Sequence, residues 1–163
     1  MQIKIFTTGG SIDKYYSTRE SNYVVGDPQV VEILHEAHAS IEYSLESLFK
    51  KDSLELNEND RLEILQKVGA AAERHILITH GTDTLITTAK LLRQVTGKVI
   101  VLTGAMQPAA FKHSDAAFNV GGALIALQTL PEGVYIIMNG KVFDPADTRK
   151  NRDLDRFEAL DPA

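Results

Sequence analysis

Three short stretches set hydroxyls beside glycine: Thr7-Thr8-Gly9-Gly10-Ser11, Thr79-His80-Gly81-Thr82-Asp83 and Thr103-Gly104-Ala105. Each follows an apolar run, and the second adds a carboxylate. Glycine lets the main chain bend sharply and lets a ligand approach backbone N–H groups. A helix opening at such a turn also points unpaired N–H groups outward, an arrangement suited to an anion or an oxyanion. The same residue types serve as ordinary turn formers and helix caps. One such turn is therefore uninformative, whereas three on one sheet edge point to a site. Their spacing does not name the reaction.

The apolar runs that must position these turns are IKIF at 3–6, ILIT at 76–79, VIVLT at 99–103 and VYIIM at 134–138. They are rich in Ile and Val and mostly continuous, which suits strands buried on both faces of a parallel sheet. A fifth run, IEYSL at 41–45, alternates and fits a position nearer an edge. Helical patterns lie between them at 29–39, 60–73, 83–95 and 114–128. Their expected apolar positions are Leu62, Leu65, Val68 and Ala72; then Leu85, Ala89, Leu92 and Val95; then Phe118, Gly122 and Ile125. Strands alternating with helices predict an α/β fold: a three-layer open, mostly parallel sheet with helices on both faces. Ligands in such sheets bind beyond the carboxyl ends of the strands, where the three turns lie. Residues 13–28 form the one long unpatterned loop, a candidate lid.

Composition narrows the function. A length of 163 residues fits one domain, and 44% hydrophobic content supplies an ordinary core. A formal charge of −5, with no basic run longer than Lys50-Lys51, argues against nucleic acid. No apolar stretch reaches the roughly 18 residues of a membrane span. With no signal-peptide pattern and no cysteine, a cytoplasmic protein without disulfides or thiolate metal sites is expected. The glycines do not match G-x-G-x-x-G, and there is neither a P-loop nor a G-x-S-x-G elbow. His35-Glu36-Ala37-His38 lacks the spacing of a zincin helix and reads as a solvated face. His113 has no evident partner. His80, inside a crevice turn, reads as a structural residue that fixes the turn by hydrogen bonding.

Five motifs in order, TTGGSI, SNYVVG, ITHGTDT, VLTGAMQP and MNGKVFDPADTRKN, resemble the bacterial-type L-asparaginase family from residue 3 to about residue 157. That resemblance covers the family's N-terminal domain and implies one catalytic domain over 1–163, with the family's second domain absent. It implies Ser11 as the nucleophile on a side-chain amide carbon, at a position where the family carries threonine. Tyr23 matches the tyrosine that hydrogen-bonds that nucleophile. Thr82, Asp83 and Lys150 match the family's Thr–Lys–Asp set, with Asp83 also holding the substrate's α-ammonium group. Ser53 matches a serine that binds the α-carboxylate. Asparagine hydrolysis to aspartate and ammonia is the implied reaction, with a small amino-acid amide as partner, no cofactor or metal, and a homo-oligomer by analogy.

The chemistry of the residues agrees. An amide carbon is a poor electrophile, so it needs an activated oxygen and an oxyanion hole. Lys150 can take a proton as a neutral amine; Asp83 beside it suits orientation and substrate binding. Main-chain N–H groups near Gly10, Ser11 and Thr82 are candidates for the oxyanion. The chain departs from the family at Ser11, which lacks the β-methyl that restricts χ1, at Leu54 after Ser53, and at Gln107, where an arginine is common. With the second domain absent, a wetter crevice and a high KM are expected. Glutamine and D-asparagine stay open as substrates, because one methylene changes fit by only about 1–3 kcal/mol. A non-catalytic aspartate/asparagine-binding module and a nucleotide-binding domain are the other readings.

Overall fold

A computed structural model describes residues 1–160 of the chain. Its centre is a six-stranded sheet in the order β4-β1-β5-β6-β7-β8. The strands are β1 (Gln2–Gly9), β4 (Glu42–Lys51), β5 (His75–Thr79), β6 (Val99–Thr103), β7 (Gly133–Met138) and β8 (Lys141–Phe143). All neighbours pair in parallel except β7 and β8. Four helices cover it: α1 (Val30–Glu36), α2 (Glu58–Ala70), α3 (Leu85–Leu92) and α4 (Ala116–Thr129). Two hairpins stand apart, β2 (Lys14–Ser17) with β3 (Asn22–Val25), and β9 (Thr148–Asn151) with β10 (Arg156–Ala159).

The continuous apolar runs become central strands because successive side chains enter opposite cores. Ile3, Ile5, Leu77 and Val101 pack with Val30, Leu34, Val120 and Leu127 of α1 and α4. Phe6, Ile76, Ile78, Ile100 and Leu102 pack on the other face with Ile64, Val68, Leu85, Ala89 and Leu92 of α2 and α3. Each fully buried Val, Leu, Ile or Phe among them contributes about 1.5–3 kcal/mol. All of the alternating run at 41–45 except Ile41 lies in the edge strand β4, as its pattern predicts, and the strand continues to Lys51.

Strand order carries the functional geometry. β1 continues to β4 on one side, while β5 continues to β6 on the other. The carboxyl ends of β1 and β5 therefore flank the point where the winding reverses, the usual crevice of doubly wound sheets.

Three expectations need correction. Residues 13–28 are not unpatterned, since most of them fold into the β2–β3 hairpin, with Tyr16 opposite Tyr23. In α4 the buried residues are Asn119, Val120, Ala123, Leu124 and Leu127. Phe118, at 67% exposure, and Ile125 face outward. This helix is apolar nearly all round, so the pattern did not distinguish its faces. In α2 the core stripe is Ile64 and Val68, and Leu62 is exposed.

Candidate active site

The β1 and β5 turns touch. Gly10 has φ +87°, and a Cβ placed on it would lie 2.3 Å from the Gly81 Cα. Gly9 has φ +94°, and a Cβ there would lie 2.5 Å from the Lys51 carbonyl oxygen. The glycine pair thus serves a left-handed turn and a close approach between neighbouring backbones. The space beside Gly10 is filled by the protein itself, and the Gly10 N–H donates to Lys51 O at 2.9 Å. That N–H is spent. Ser11, half-buried at the head of a short 3-10 turn, and Thr82 follow these two abutting glycines. Among the described residues no protein acceptor takes the N–H of either one.

Gly81 is needed for a second contact. A Cβ on it would lie 2.5 Å from the Cβ of Ser53. Buried Ser53 is thereby brought against the β5 turn, and its carbonyl accepts the Thr84 hydroxyl at 2.8 Å. Four of the residues singled out in the sequence, Gly10, Ser11, Ser53 and Thr82, meet around the two turns.

Lys150 and Asp83 complete the group. Lys150 Nζ donates to Thr82 Oγ1 at 2.8 Å and to Asp83 Oδ1 at 2.9 Å, across 68 and 67 residues of chain. The side chains of Lys150 and Asp83 are 16% and 22% exposed. The β9–β10 hairpin, absent from the sequence expectations, makes this possible by pairing Lys150 with Phe157, which is buried beside Phe143. An apparently solvated lysine is therefore anchored on a strand.

Tyr23 is placed differently. It sits on β3, 47% exposed, with its ring edge-on to Tyr16 at 5.5 Å and tilted against Phe111 at 5.7 Å. Among the described residues its hydroxyl makes no hydrogen bond to Ser11. The aromatic stack holds it on the open hairpin instead. The hairpin base is fastened by Asp13, whose carbonyl accepts the Gly26 N–H and whose Oδ1 accepts the Gln29 N–H, both at 2.8 Å. Burial raises the Asp13 carboxyl from its ordinary 3.8 to about 7, against the lowering effect of the Gln29 bond. Lys14 and Asp52 link the hairpin to the Ser53 loop at 2.5 Å. Burial pushes Asp52 up, but its bonds to Lys14 and the Leu54 N–H, with Lys150 nearby, outweigh that and leave the carboxyl below its usual range.

His80 is fully buried, and desolvation lowers it from 6.5 to about 4. Its Nδ1 lies 2.8 Å from the Gly81 carbonyl, so that nitrogen carries the proton. Nε2 then accepts the Thr88 hydroxyl at 2.8 Å. The neutral ring fixes the turn, as expected for a structural histidine. Thr8 Oγ1 adds a bond to the Thr79 carbonyl at 3.1 Å, tying the β1 end to β5. His35, His38 and His113 are exposed and outside the site. Among the described residues no group of three His, Asp or Glu side chains is arranged to hold a metal ion. Gln107 is exposed; its N–H donates to Asp115 Oδ1, and nothing here explains its side chain.

Sequence reasoning missed Arg152, whose Nη2 lies 2.8 Å from Asp83 Oδ1. Arg152 is the first residue of the turn after β9, and no strand or helix period in the sequence brings it to Asp83. It also missed Asp115 and Asn119, which fasten the β6 turn. Asp115 accepts the N–H groups of Met106 and Gln107, while Asn119 Nδ2 donates to Gly104 O at 3.0 Å.

This geometry has counterparts among known proteins. The chain is 29% identical to "L-asparaginase 2" of Escherichia coli over 94% of its own length and 47% of that protein's. It is 30% identical to "Probable L-asparaginase periplasmic" of Haemophilus influenzae over 91% of its own length and 46% of that one's. It thus spans about half the length of these relatives. The solved thermostable L-asparaginase of Thermococcus kodakarensis superposes with TM-score 0.86 at 25% identity, covering 100% of this chain and 52% of that one. Residues 2–161 match the family model described as "Asparaginase, N-terminal". With nearly its whole length matched, the chain belongs to the asparaginase N-terminal family.

Proposed function

We propose that the chain hydrolyses the side-chain amide of L-asparagine to aspartate and ammonia. The observation that carries this reading is the Lys150 ammonium bridging Thr82 Oγ1 and Asp83 Oδ1 beside the Ser11 turn. Ser11 Oγ adds to the amide carbon, and the developing oxyanion takes the unspent N–H groups of Ser11 and Thr82. The Ser11 proton travels to the leaving nitrogen through the Thr82–Lys150 pair, and the C–N bond breaks to leave an ester on Ser11 and free ammonia. Water then attacks the ester, restoring the Ser11 hydroxyl and releasing aspartate. Asp83 holds the lysine in place and receives the substrate's α-ammonium group. Ser53 meets the α-carboxylate, and Gly10 shapes the turn that presents Ser11. Tyr23 joins the Ser11 hydroxyl when the hairpin closes over substrate.

Two further parts belong to the proposal. Copies of the chain associate, supported by exposed Phe118, Ile125 and Val142 around a groove of about 580 Å3 on α4. Sedimentation velocity checks this. The cytoplasm is the compartment proposed for the reaction, and cell fractionation checks this.

The central test is ammonia release from asparagine by wild type, Ser11→Ala and Thr82→Ala. Turnover by wild type with a fall of at least about a hundredfold in each variant supports the reading. Ammonia release unaffected by both substitutions removes it. Binding of aspartate without turnover favours a sensing module instead.

A further inference from the structure

The Lys150–Thr82 contact joins segments 68 residues apart, and each segment must be held for the contact to exist. Lys150 sits on β9, and its register partner on β10 is Phe157. The ring of Phe157 is buried, while its backbone N–H leaves the hairpin and donates to Asn139 Oδ1 at 2.9 Å. Asn139 belongs to neither hairpin strand. With Gly140 it makes the two-residue turn between β7 and β8.

Asn139 has φ +54° and Gly140 φ +74°, the pair of left-handed residues that such a turn needs. Asparagine-glycine is the ordinary choice there, and glycine-glycine serves as well. Turn formation therefore accounts for the backbone of Asn139 but not for its side chain, which reaches 18 residues along the chain to Phe157. The Asn139 N–H donates to Asn119 Oδ1 at 3.1 Å. Buried Asn119 donates in turn from Nδ2 to the Gly104 carbonyl at 3.0 Å. Gly104 lies against the β5 turn, since a Cβ on it would stand 2.3 Å from the His80 carbonyl oxygen. Two asparagines thus brace the strand pair that carries Lys150 against the turns that lead to Thr82.

We propose that Asn139 is a positioning residue for Lys150: its carboxamide oxygen fixes β10, and through the Phe157–Lys150 pairing it sets where the ammonium meets Thr82 and Asp83. The inference rests on the amidohydrolase reading of the same site. Displacing Lys150 Nζ by about 1 Å breaks bonds now at 2.8 and 2.9 Å, and misplacement of that size costs up to about a hundredfold in rate. Ser53 and Asp83 stand on elements outside the hairpin, so the substrate's charged groups keep their partners when the brace is lost.

The test measures kcat and KM for asparagine in wild type, Asn139→Gly, Asn139→Asp and Ser44→Ala. Glycine keeps the turn geometry and removes the acceptor, whereas aspartate keeps both. Asn139→Gly is expected to lower kcat by about tenfold and to leave KM within about twofold. Asn139→Asp is expected to keep kcat within about twofold of wild type. Ser44 Oγ donates to Glu73 Oε1 at 2.9 Å toward the amino ends of the strands, so Ser44→Ala loses one hydrogen bond far from the hairpin. It is expected to lower the melting temperature by about 2–4 °C, as Asn139→Gly does, with kcat unchanged. In a Lys150→Met background, Asn139→Gly is expected to cause no further loss of kcat. Three results overturn the role of Asn139 alone: ammonia release at an unchanged kcat in Asn139→Gly, an Asn139→Asp as slow as Asn139→Gly, or an equal fall in Ser44→Ala. A further loss in the Lys150→Met background does the same. No ammonia from wild type overturns the amidohydrolase reading, and this inference with it.

Discussion

The turn after β5 and the β2–β3 hairpin both border the Ser53 loop but are held by different physics. The turn is locked by buried contacts: glycine against glycine, a neutral His80 with both ring nitrogens bonded, and Ser53 pressed on Gly81. The hairpin rests on one buried carboxylate, a partly exposed Lys14–Asp52 pair and an exposed aromatic stack. The chemistry divides along the same line. Thr82, Asp83 and Lys150 are already in hydrogen-bonding contact, whereas Tyr23 stands off. A site assembled this way keeps its charged relay preorganised, where electrostatic effects are strongest, and leaves access to the element that is easiest to move.

The largest effect expected from breaking this contrast comes from Gly10→Ala. It sets a Cβ against Gly81 at a positive φ, and about 3 kcal/mol or more of stability should be lost in urea unfolding. Gly97, with φ +78° and nothing within 4 Å of its added Cβ, provides the comparison. Gly97→Ala should cost only about 1–2 kcal/mol, the backbone part alone. Equal losses at the two positions mean that the packing between turns is unimportant. Next in size is Lys150→Met, expected to reduce ammonia release by about a hundredfold or more with little change in melting temperature.

The buried groups His80 and Asp13 should give stability slopes of opposite sign. His80 has its folded value lowered from 6.5 to about 4, so its contribution is present above pH 6.5 and is lost as pH falls toward 4. Asp13 has its folded value raised from 3.8 to about 7, so its contribution is present below pH 3.8 and is lost as pH rises through 7. Asp13→Asn keeps an acceptor for the Gln29 N–H. It should therefore stabilise the protein at pH 8.5 by something on the order of 1–4 kcal/mol, and by much less at pH 4.5. Unfolding of wild type and variant at both pH values checks the sign; a gain confined to acid pH contradicts it. The smallest effect belongs to the Lys14–Asp52 pair. Lys14→Met should change stability by less than about 1 kcal/mol, while altering KM if the hairpin gates the crevice.

Much of this frame was legible in the sequence for identifiable reasons. β1, β5, β6 and β7 showed because their mostly continuous, Ile/Val-rich runs suit strands buried on both faces, and β4 declared its edge position by alternation. The hairpins were hidden. Tyr15-Tyr16 and Tyr23-Val24-Val25 pair over a few residues with no core of their own, and β9 is written in charged residues whose strand state depends on β10. Lys150 could be placed beside Thr82 only by resemblance, since nothing local encodes a contact spanning 68 residues. Glycine in these turns reads locally as room for a substrate; its larger task, bringing two turns together, depends on the strand order. In α4 hydrophobicity on every side concealed which face the sheet would take.

The most direct test is to carry out the reaction in the presence of hydroxylamine. An ester on Ser11 should partition between water and hydroxylamine, giving aspartyl hydroxamate at the expense of aspartate while ammonia release continues. Both products should disappear in Ser11→Ala. Aspartate formed with no hydroxamate, or hydroxamate formed equally well without the Ser11 hydroxyl, contradicts an acyl-enzyme at this residue.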